Sequence, residues 1–172
     1  SIDPNGGASR LATLKEAADK MVDDIAAKAR GTDGQYGTAD DINHRIAVVG
    51  FASRSGYGNN TELLSISGTN SGTVGVAYDN IGSEDWKNVV QNMNSADGVS
   101  MAKAAIDALA AKGATEVDLG MDMAERILKA NPVPEGEQRN RIVIVFTDGA
   151  PTDQRGFKKD EADDAINEAR DI

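Results

Sequence analysis

The sequence predicts an α/β fold, a Rossmann-like open sheet of mostly parallel strands with helices on both faces. The main observation is the run Ile142–Phe146 (I-V-I-V-F), five apolar residues in succession, which predicts a strand buried on both faces. A second run of this type lies at Arg45–Ala52 (R-I-A-V-V-G-F-A). Amphipathic helical patterns alternate with these runs, which is typical of a sheet covered on both sides.

The first half of the chain begins with a predicted helix, Ser9–Arg30, whose apolar residues recur at three- and four-residue steps. Gly31 ends this helix, and a polar, glycine-rich loop leads to the buried strand Arg45–Ala52. After a loop rich in serine, glycine and asparagine, we expect two edge strands of a hairpin, Glu62–Ile66 and Thr73–Tyr78.

The second half of the chain is predicted to be mainly helical. Ser100 is the expected N-cap of one helix, and another helix stops before Asn131-Pro132 because proline cannot continue it. A single buried strand interrupts these helices before the last one. The predicted elements are helices Asp85–Met93, Met101–Lys112 and Val117–Ala130, strand Arg141–Thr147, and helix Lys158–Ile172.

We expect residues 1–172 to form a single but partial domain, since the sequence contains no internal repeat and no linker. The first and last predicted elements are helices, whereas a parallel strand is joined to its neighbour through a crossover helix. The first central strand and the last strands of the sheet are therefore expected to be absent from this chain and to lie on another segment of the parent protein.

Composition excludes several classes of function. The net charge is −10, from 28 acidic and 18 basic residues, and such an acidic surface repels nucleic acid. No apolar run approaches the roughly 18 residues that a membrane span needs, so we expect no membrane insertion. The chain contains no cysteine, which excludes disulfides, thiolate metal sites and cysteine nucleophiles.

Asp148 is the main candidate site residue. It directly follows the predicted strand Arg141–Thr147, and Gly149 and Pro151 turn the chain after it. In open α/β sheets, ligands bind outside the carboxyl ends of the strands. The sequence therefore places a carboxylate where a cation or a substrate would bind.

Three segments together resemble a known family. They are S-R-L-A-T-L-K-E-A-A-D-K-M-V in the first helix, G-A-T-E-V-D-L-G-M-D-M-A at Gly113–Ala124, and V-F-T-D-G-A-P-T around Asp148. Over essentially all 172 residues the chain resembles a von Willebrand factor type A domain, the fold of integrin inserted domains and of many bacterial surface adhesins.

The resemblance implies a metal-ion-dependent adhesion site. That family builds this site from an Asp-x-Ser-x-Ser loop, a threonine and an aspartate, and the matching residues here are Ser1, Thr115 and Asp148. The chain opens S-I-D-P-N-G-G, so only the last serine of the loop is matched. Mg²⁺ is the expected ion, with Mn²⁺ or Ca²⁺ as alternatives, because hydroxyl and carboxylate oxygens are hard ligands.

The resemblance also implies a function. We expect a non-enzymatic adhesion module that binds an acidic side chain of a protein ligand, such as host extracellular matrix or another surface protein. The parent protein would be a bacterial adhesin or pilus protein, secreted or anchored to the cell wall, although cytoplasmic members of the family exist.

Several residues have simpler interpretations. Thr115 and Asp118 have the spacing of a capping box for the following helix, and Asp148 fits a turn. The loop between Asp33 and Asp41 contains carboxylates and glycines that could bind calcium, but the pattern favours a solvated loop because it lacks the spacing of a calcium-binding loop.

Two other functions remain open for Asp148. An aspartate at a strand end can accept a phosphoryl group, which would make the chain a metal-dependent hydrolase or phosphatase. Against this, the D-x-D-x-T motif of such phosphatases is absent after the strand. The third possibility is a scaffold domain that retains the fold and has lost the metal.

Overall fold

The structure, a computed structural model, describes residues 10–52, 62–63, 76–110, 115–147, 152–153, 156–157 and 159–171. These residues form a mixed helical and strand fold. The five α-helices within them are α1 (Arg10–Ala29), α2 (Ser83–Asn88), α3 (Ala96–Ala108), α4 (Val117–Ala130) and α5 (Lys159–Asp171), and a short 3-10 helix spans Tyr78–Asn80.

Within the described residues, each strand is two residues long. They are β1 (Arg45–Ile46), β2 (Val49–Gly50), β3 (Glu62–Leu63), β4 (Val76–Ala77), β5 (Gln91–Asn92), β6 (Thr152–Asp153) and β7 (Gly156–Phe157). β1 pairs with β5, β2–β3–β4 form a three-stranded sheet, and β6 pairs with β7. Every described pairing is antiparallel.

The predicted sheet therefore differs from the described one. The described strands form three small antiparallel sheets, and an open, mostly parallel sheet is not seen among them. Residues 141–147 have no place in any described sheet, and four of their five apolar side chains are exposed, with Ile142 74% exposed. The apolar pattern reports which residues could be buried, but burial also requires neighbouring strands that the described part of the chain does not supply.

The predicted helices agree with the structure better than the predicted sheet does, because the apolar periodicity of a helix is a local property of the sequence. α1, α4 and α5 confirm three predicted helices, and α4 has the predicted bounds. The predicted cap Ser100 is wrong: Ser95 is the N-cap of α3 and its side chain accepts a hydrogen bond from the Gly98 backbone N–H. The predicted helix Asp85–Met93 is shortened to α2, since the chain enters β5 at Gln91.

The chain divides into two compact units. Unit 1 comprises Ser1–Val48, Leu64–Gly75 and Asn88–Ala111, and unit 2 comprises Val49–Leu63, Val76–Lys87 and Lys112–Ile172. Across the described residues, no helix is both long enough and apolar enough to cross a membrane.

The core of unit 1 is a contact between α1 and α3. Small side chains on one face of α1 allow the two helices to approach closely, and Met93 fills the space beside them with no exposed surface. The buried residues of this core are Ala18, Val22, Ala26, Ala29, Met93, Ala102 and Ile106. Lys103 of α3 also pairs with Asp23 of α1 at 2.7 Å between Nζ and Oδ1.

Gly98 is required where α3 begins against β5. A Cβ atom at this position would lie 2.0 Å from the backbone oxygen of Asn92, and backbone cannot move aside as a flexible side chain can. The first turn of α3 therefore tolerates only glycine here.

We predict that Gly98→Ala lowers the free energy of unfolding by about 1–3 kcal/mol, the usual cost of overpacking. Gly82→Ala is the matched control, because its Cβ would meet nothing closer than Asp85 Oδ2 at 3.5 Å. Urea titration followed by circular dichroism measures both. Equal midpoints for the two variants would contradict the close approach.

Asp40 organises the loop between α1 and β1. Its Oδ2 accepts hydrogen bonds from the Thr32 backbone N–H at 2.6 Å and from the Thr32 hydroxyl at 2.8 Å, and its Oδ1 accepts one from the Thr38 hydroxyl at 2.9 Å. These bonds, led by the one from the Thr32 hydroxyl, hold the pKa of Asp40 well below its ordinary value of 3.8. Because protein donors already occupy this carboxylate, the loop fits the solvated interpretation better than a calcium site.

The lowered pKa predicts a pH-dependent contribution of Asp40 to stability. The carboxylate stabilises the folded chain above pH 3.8, and this contribution is lost as the pH falls from 3.8 towards the lower pKa of the folded state. Asp40→Asn should therefore lower the melting temperature at neutral pH, and the difference from the unmodified chain should shrink in acid.

Thermal melts at neutral and acidic pH, with hydrogen exchange of the Thr32 amide, measure the effect of Asp40→Asn. Asp24→Asn is the control, since it removes the same charge from an exposed carboxylate whose Oδ2 lies 3.4 Å from Lys20 Nζ. Unchanged exchange at Thr32 in Asp40→Asn would show that the hydrogen bonds do not order the loop.

The core of unit 2 is formed around α4. The apolar face of this helix buries Leu119, Met121, Met123 and Ile127, and Ala52 is also buried. α4 packs against α5 and contacts β2. These contacts make α4 the element on which the candidate site of this unit is built.

Candidate functional site

Thr115 lies at the start of α4 but does not cap it. Glu116 is the N-cap residue and makes no side-chain capping bond, so the capping box predicted for Thr115 and Asp118 is wrong. Thr115 is half-buried, and its hydroxyl makes no hydrogen bond in the part of the chain that the structure describes. The side chain therefore has no capping role that would account for its position.

Ser1 and Asp148, the other two predicted metal ligands, lie outside the described residues. The chain is described up to Thr147, the residue before Asp148. The grouping of Ser1, Thr115 and Asp148 around one ion stays a prediction.

Residues 141–147 lie beside α4 and α5. Val143 and Val145 line a groove of about 510 Å³ together with apolar residues of both helices. The helix residues are Val117 and Met121 of α4 and Ala165, Ile166 and Ala169 of α5. Ile142, Ile144 and Phe146, at the alternate positions, do not line this groove, as expected for an extended segment with two faces.

A second cavity in unit 2 is acidic. It has a volume of about 240 Å³, and its lining contains three aspartates, a tyrosine and an asparagine beside Leu119. The polar lining residues are Tyr78, Asp118, Asp122, Asp164 and Asn167. Within the described residues, no group of three histidine, cysteine or carboxylate side chains is placed so that it could hold a metal.

Among the three aspartates of this cavity, Asp122 is the one with hydrogen-bond donors from the described residues. The Tyr78 hydroxyl donates to Asp122 Oδ2, and Arg126 Nε lies 2.8 Å from the same oxygen. The hydrogen bond to Asp122 raises the pKa of Arg126. The Arg126 guanidinium also lies over two rings, 5.7 Å from the centre of Tyr78 and 5.8 Å from Trp86.

Asp118 differs from Asp122 because its Oδ1 is buried without a hydrogen-bond partner. It lies in the first turn of α4, where the partial positive charge of the helix N-terminus favours a carboxylate. That field accounts for a buried, unpartnered oxygen at this position without a bound ligand.

Sequence reasoning missed the cluster of Tyr78, Trp86, Asp122 and Arg126. The four-residue spacing of Asp122 and Arg126 on a helix could have indicated their ion pair. No sequence signal places Tyr78 against Asp122, since these residues are 44 positions apart.

No protein-family model matches this chain, and searches of curated proteins and of solved structures found no match. The resemblance to a von Willebrand factor type A domain thus rests on the quoted segments and stays a prediction.

We predict that Arg126→Ala lowers the stability of unit 2 by about 1 kcal/mol, because it removes the stacking on two rings together with the ion pair. Lys159→Ala is the control, since Lys159 forms an exposed ion pair with Asp163 one turn along α5 and stacks on no described ring. Trp86 is the only tryptophan, so its fluorescence reports unfolding of this unit directly. Equal effects of the two substitutions would contradict a special role of the stacked guanidinium.

Proposed function

We propose that the chain is a non-enzymatic protein-binding module that depends on a divalent metal ion held by Ser1, Thr115 and Asp148. The observation that carries the proposal is the position of Thr115. Its half-buried hydroxyl precedes α4, is not used as a cap, and matches the threonine of the adhesion-site pattern. The sequence T-D-G-A-P-T around Asp148 supplies the second part of that pattern.

The donor set fits Mg²⁺ better than a softer metal. Hydroxyl and carboxylate oxygens are hard ligands, and Mg²⁺ takes six of them at about 2.1 Å while keeping several waters. The hydroxyls of Ser1 and Thr115 are neutral, so they would hold the ion without cancelling its charge. Asp148 would supply the one negative charge among the three proposed ligands, and Mn²⁺ or Ca²⁺ could replace Mg²⁺.

The N-terminus of α4 constrains such a site. The partial positive charge at a helix N-terminus disfavours a cation placed directly in front of it. Asp118 in the first turn opposes that field, and a ligating Asp148 would add a second negative charge. These two carboxylates support a cation beside Thr115.

The proposal includes the open, mostly parallel sheet of the von Willebrand factor type A family. Residues 141–147 would then be a strand whose carboxyl end presents Asp148. The position of residues 141–147 beside α4 and α5, with the alternate residues Val143 and Val145 lining the groove, supports this arrangement.

The ion would allow this acidic protein to bind a ligand that carries a carboxylate. With a net charge of −10, the chain repels carboxylates in general. A bound ion with an open coordination position would replace this repulsion by attraction at the site. An aspartate or glutamate of the protein ligand would then coordinate the ion. We therefore propose a surface protein or host extracellular matrix as ligand, and an extracellular or wall-anchored location.

Isothermal titration of the 172-residue chain with Mn²⁺ and with Mg²⁺ tests the metal site. We expect binding in the unmodified chain, at least tenfold weaker binding in Thr115→Val, and no binding in Asp148→Ala. Thr115→Ser should restore binding because it keeps the hydroxyl. Asp160→Ala, which removes an exposed carboxylate from α5, should leave binding unchanged.

A second measurement tests the open coordination position. Bound Mn²⁺ enhances the relaxation of water protons, and added acetate should reduce this enhancement by displacing inner-sphere water. Absence of metal binding in the unmodified chain would overturn the proposal. Turnover of a generic phosphate ester that is lost in Asp148→Asn would favour the hydrolase instead.

A further inference from the structure

Aspartate followed directly by glycine is prone to a spontaneous rearrangement of the backbone. The glycine nitrogen attacks the side-chain carboxyl carbon of the aspartate, and glycine has no side chain to obstruct the approach. The chain contains three such pairs, Asp33-Gly34, Asp97-Gly98 and Asp148-Gly149, and the first two lie within the described residues. The pairs are identical in sequence, so the surrounding structure decides which of them can react.

The pair Asp33-Gly34 is open to this reaction. Both residues are exposed and lie in the loop between α1 and β1, outside any helix or strand. Gly34 has a φ of +70°, and a Cβ atom built on it would meet no atom within 4 Å. Among the described residues, the Gly34 N–H donates no hydrogen bond, so none has to break before this nitrogen attacks.

The Asp33 carboxyl is held beside the peptide bond to Gly34. Its Oδ1 accepts a hydrogen bond from the Gln35 backbone N–H at 2.8 Å, which closes a ring that contains Gly34. The Thr38 hydroxyl also donates to this oxygen, at 3.4 Å. Donors on a carboxyl oxygen draw electrons from the carboxyl carbon, so that carbon becomes a better target for the Gly34 nitrogen.

The pair Asp97-Gly98 is protected by its surroundings. It lies in the first turn of α3, and the Cα–Cβ bond of a helical residue is tilted towards the helix N-terminus, away from the nitrogen of the next residue. Gly98 is buried, and its N–H donates to the Ser95 side chain. A Cβ on Gly98 would lie 2.0 Å from the backbone oxygen of Asn92, so a rearranged backbone has no room there.

We propose that Asp33 is a site of spontaneous isomerisation to isoaspartate in the folded chain, and that Asp97 is not. The Gly34 nitrogen bonds to Asp33 Cγ and loses its proton, a carboxyl oxygen leaves as water, and a cyclic succinimide forms. Water then adds at the main-chain carbonyl carbon of Asp33 and breaks its bond to the Gly34 nitrogen. One water leaves and one enters, so the mass of the chain is unchanged.

Isomerisation changes the loop between α1 and β1. The backbone gains one carbon atom at position 33, and the carboxyl that Gln35 and Thr38 contact becomes a backbone amide. The Asp33 N–H donates to Asp40 Oδ2 at 3.4 Å, so the altered residue directly adjoins the carboxylate that organises the loop. The inference is independent of metal binding, since none of the proposed metal ligands takes part in the reaction at position 33.

Oxygen labelling measures the reaction at each pair separately. Each passage through the succinimide replaces one carboxyl oxygen by an oxygen of the solvent, so a chain kept in heavy-oxygen water is labelled at the reacting aspartate. Cleavage after lysine and arginine, carried out in ordinary water, places Asp33, Asp97 and Asp148 on different peptides. Mass spectrometry with fragmentation locates the label, and chromatography against a synthetic isoaspartyl peptide of residues 31–45 identifies the product.

The folded and unfolded chains are compared in mildly acidic buffer, because a neutral carboxyl loses water more readily than a carboxylate. In the folded chain we expect labelling at Asp33 to be at least about tenfold faster than at Asp97, whose reaction requires α3 to open. In concentrated urea the two rates should become similar, because the fold no longer distinguishes the pairs.

Asp33→Glu is the matched variant, since it keeps the charge and the following glycine. Glutamate would have to form a larger ring, which closes more slowly, so position 33 should remain unlabelled. Labelling at the other Asp-Gly pairs should be unchanged in this variant.

Two results would overturn the proposal. Labelling at position 33 in urea but not in the folded chain would mean that the loop protects this pair as firmly as α3 protects Asp97. Equal labelling of Asp33 and Asp97 in a chain whose circular dichroism is helical would mean that the fold does not select between them.

Discussion

A run of apolar side chains is stable in water only when other apolar side chains lie against it, and residues 142–146 place this requirement on unit 2. On one face, Val143 and Val145 have apolar neighbours, because they line a groove together with residues of α4 and α5. Ile142 and Ile144 on the other face are more than half exposed. The proposed sheet and the proposed role of Asp148 both depend on what covers this second face.

Unit 1 is stabilised in a different way. Its core is a helix pair in which alanines on α1 allow α3 to approach, and Gly98 allows the first turn of α3 to contact β5. Such packing depends on small side chains rather than on large apolar area, so added atoms are more damaging than in a loosely packed core. The ion pair of Lys103 with Asp23 lies at the margin of this contact and adds little by comparison.

The acidic residues of this chain fall into groups with different chemistry. Asp40 and Asp122 already accept hydrogen bonds from several protein donors, so their charge is used within the fold. Asp118 faces the start of α4 with one oxygen unpartnered, and the field of the helix favours its charge. The net charge of −10 therefore does not say which carboxylate is available to a ligand, because that depends on the donors around each one.

The sequence by itself determined the helices, because their apolar periodicity and end signals are local. It predicted α1, α4 and α5, and it singled out Thr115 and Asp148 as candidate ligands by pattern. Even so, the sequence pattern predicted Ser100 as the N-cap of α3, where the structure has Ser95. More than one nearby serine could act as an N-cap.

Tertiary structure alone decided the rest. It placed Glu116 rather than Thr115 at the cap of α4, brought Tyr78 against Asp122, and left four of the five apolar residues at 142–146 exposed. The physical reason is common to all three. Strand burial, side-chain clusters and the choice between capping residues depend on neighbours distant in sequence, and an apolar run has the same pattern whether or not those neighbours lie against it.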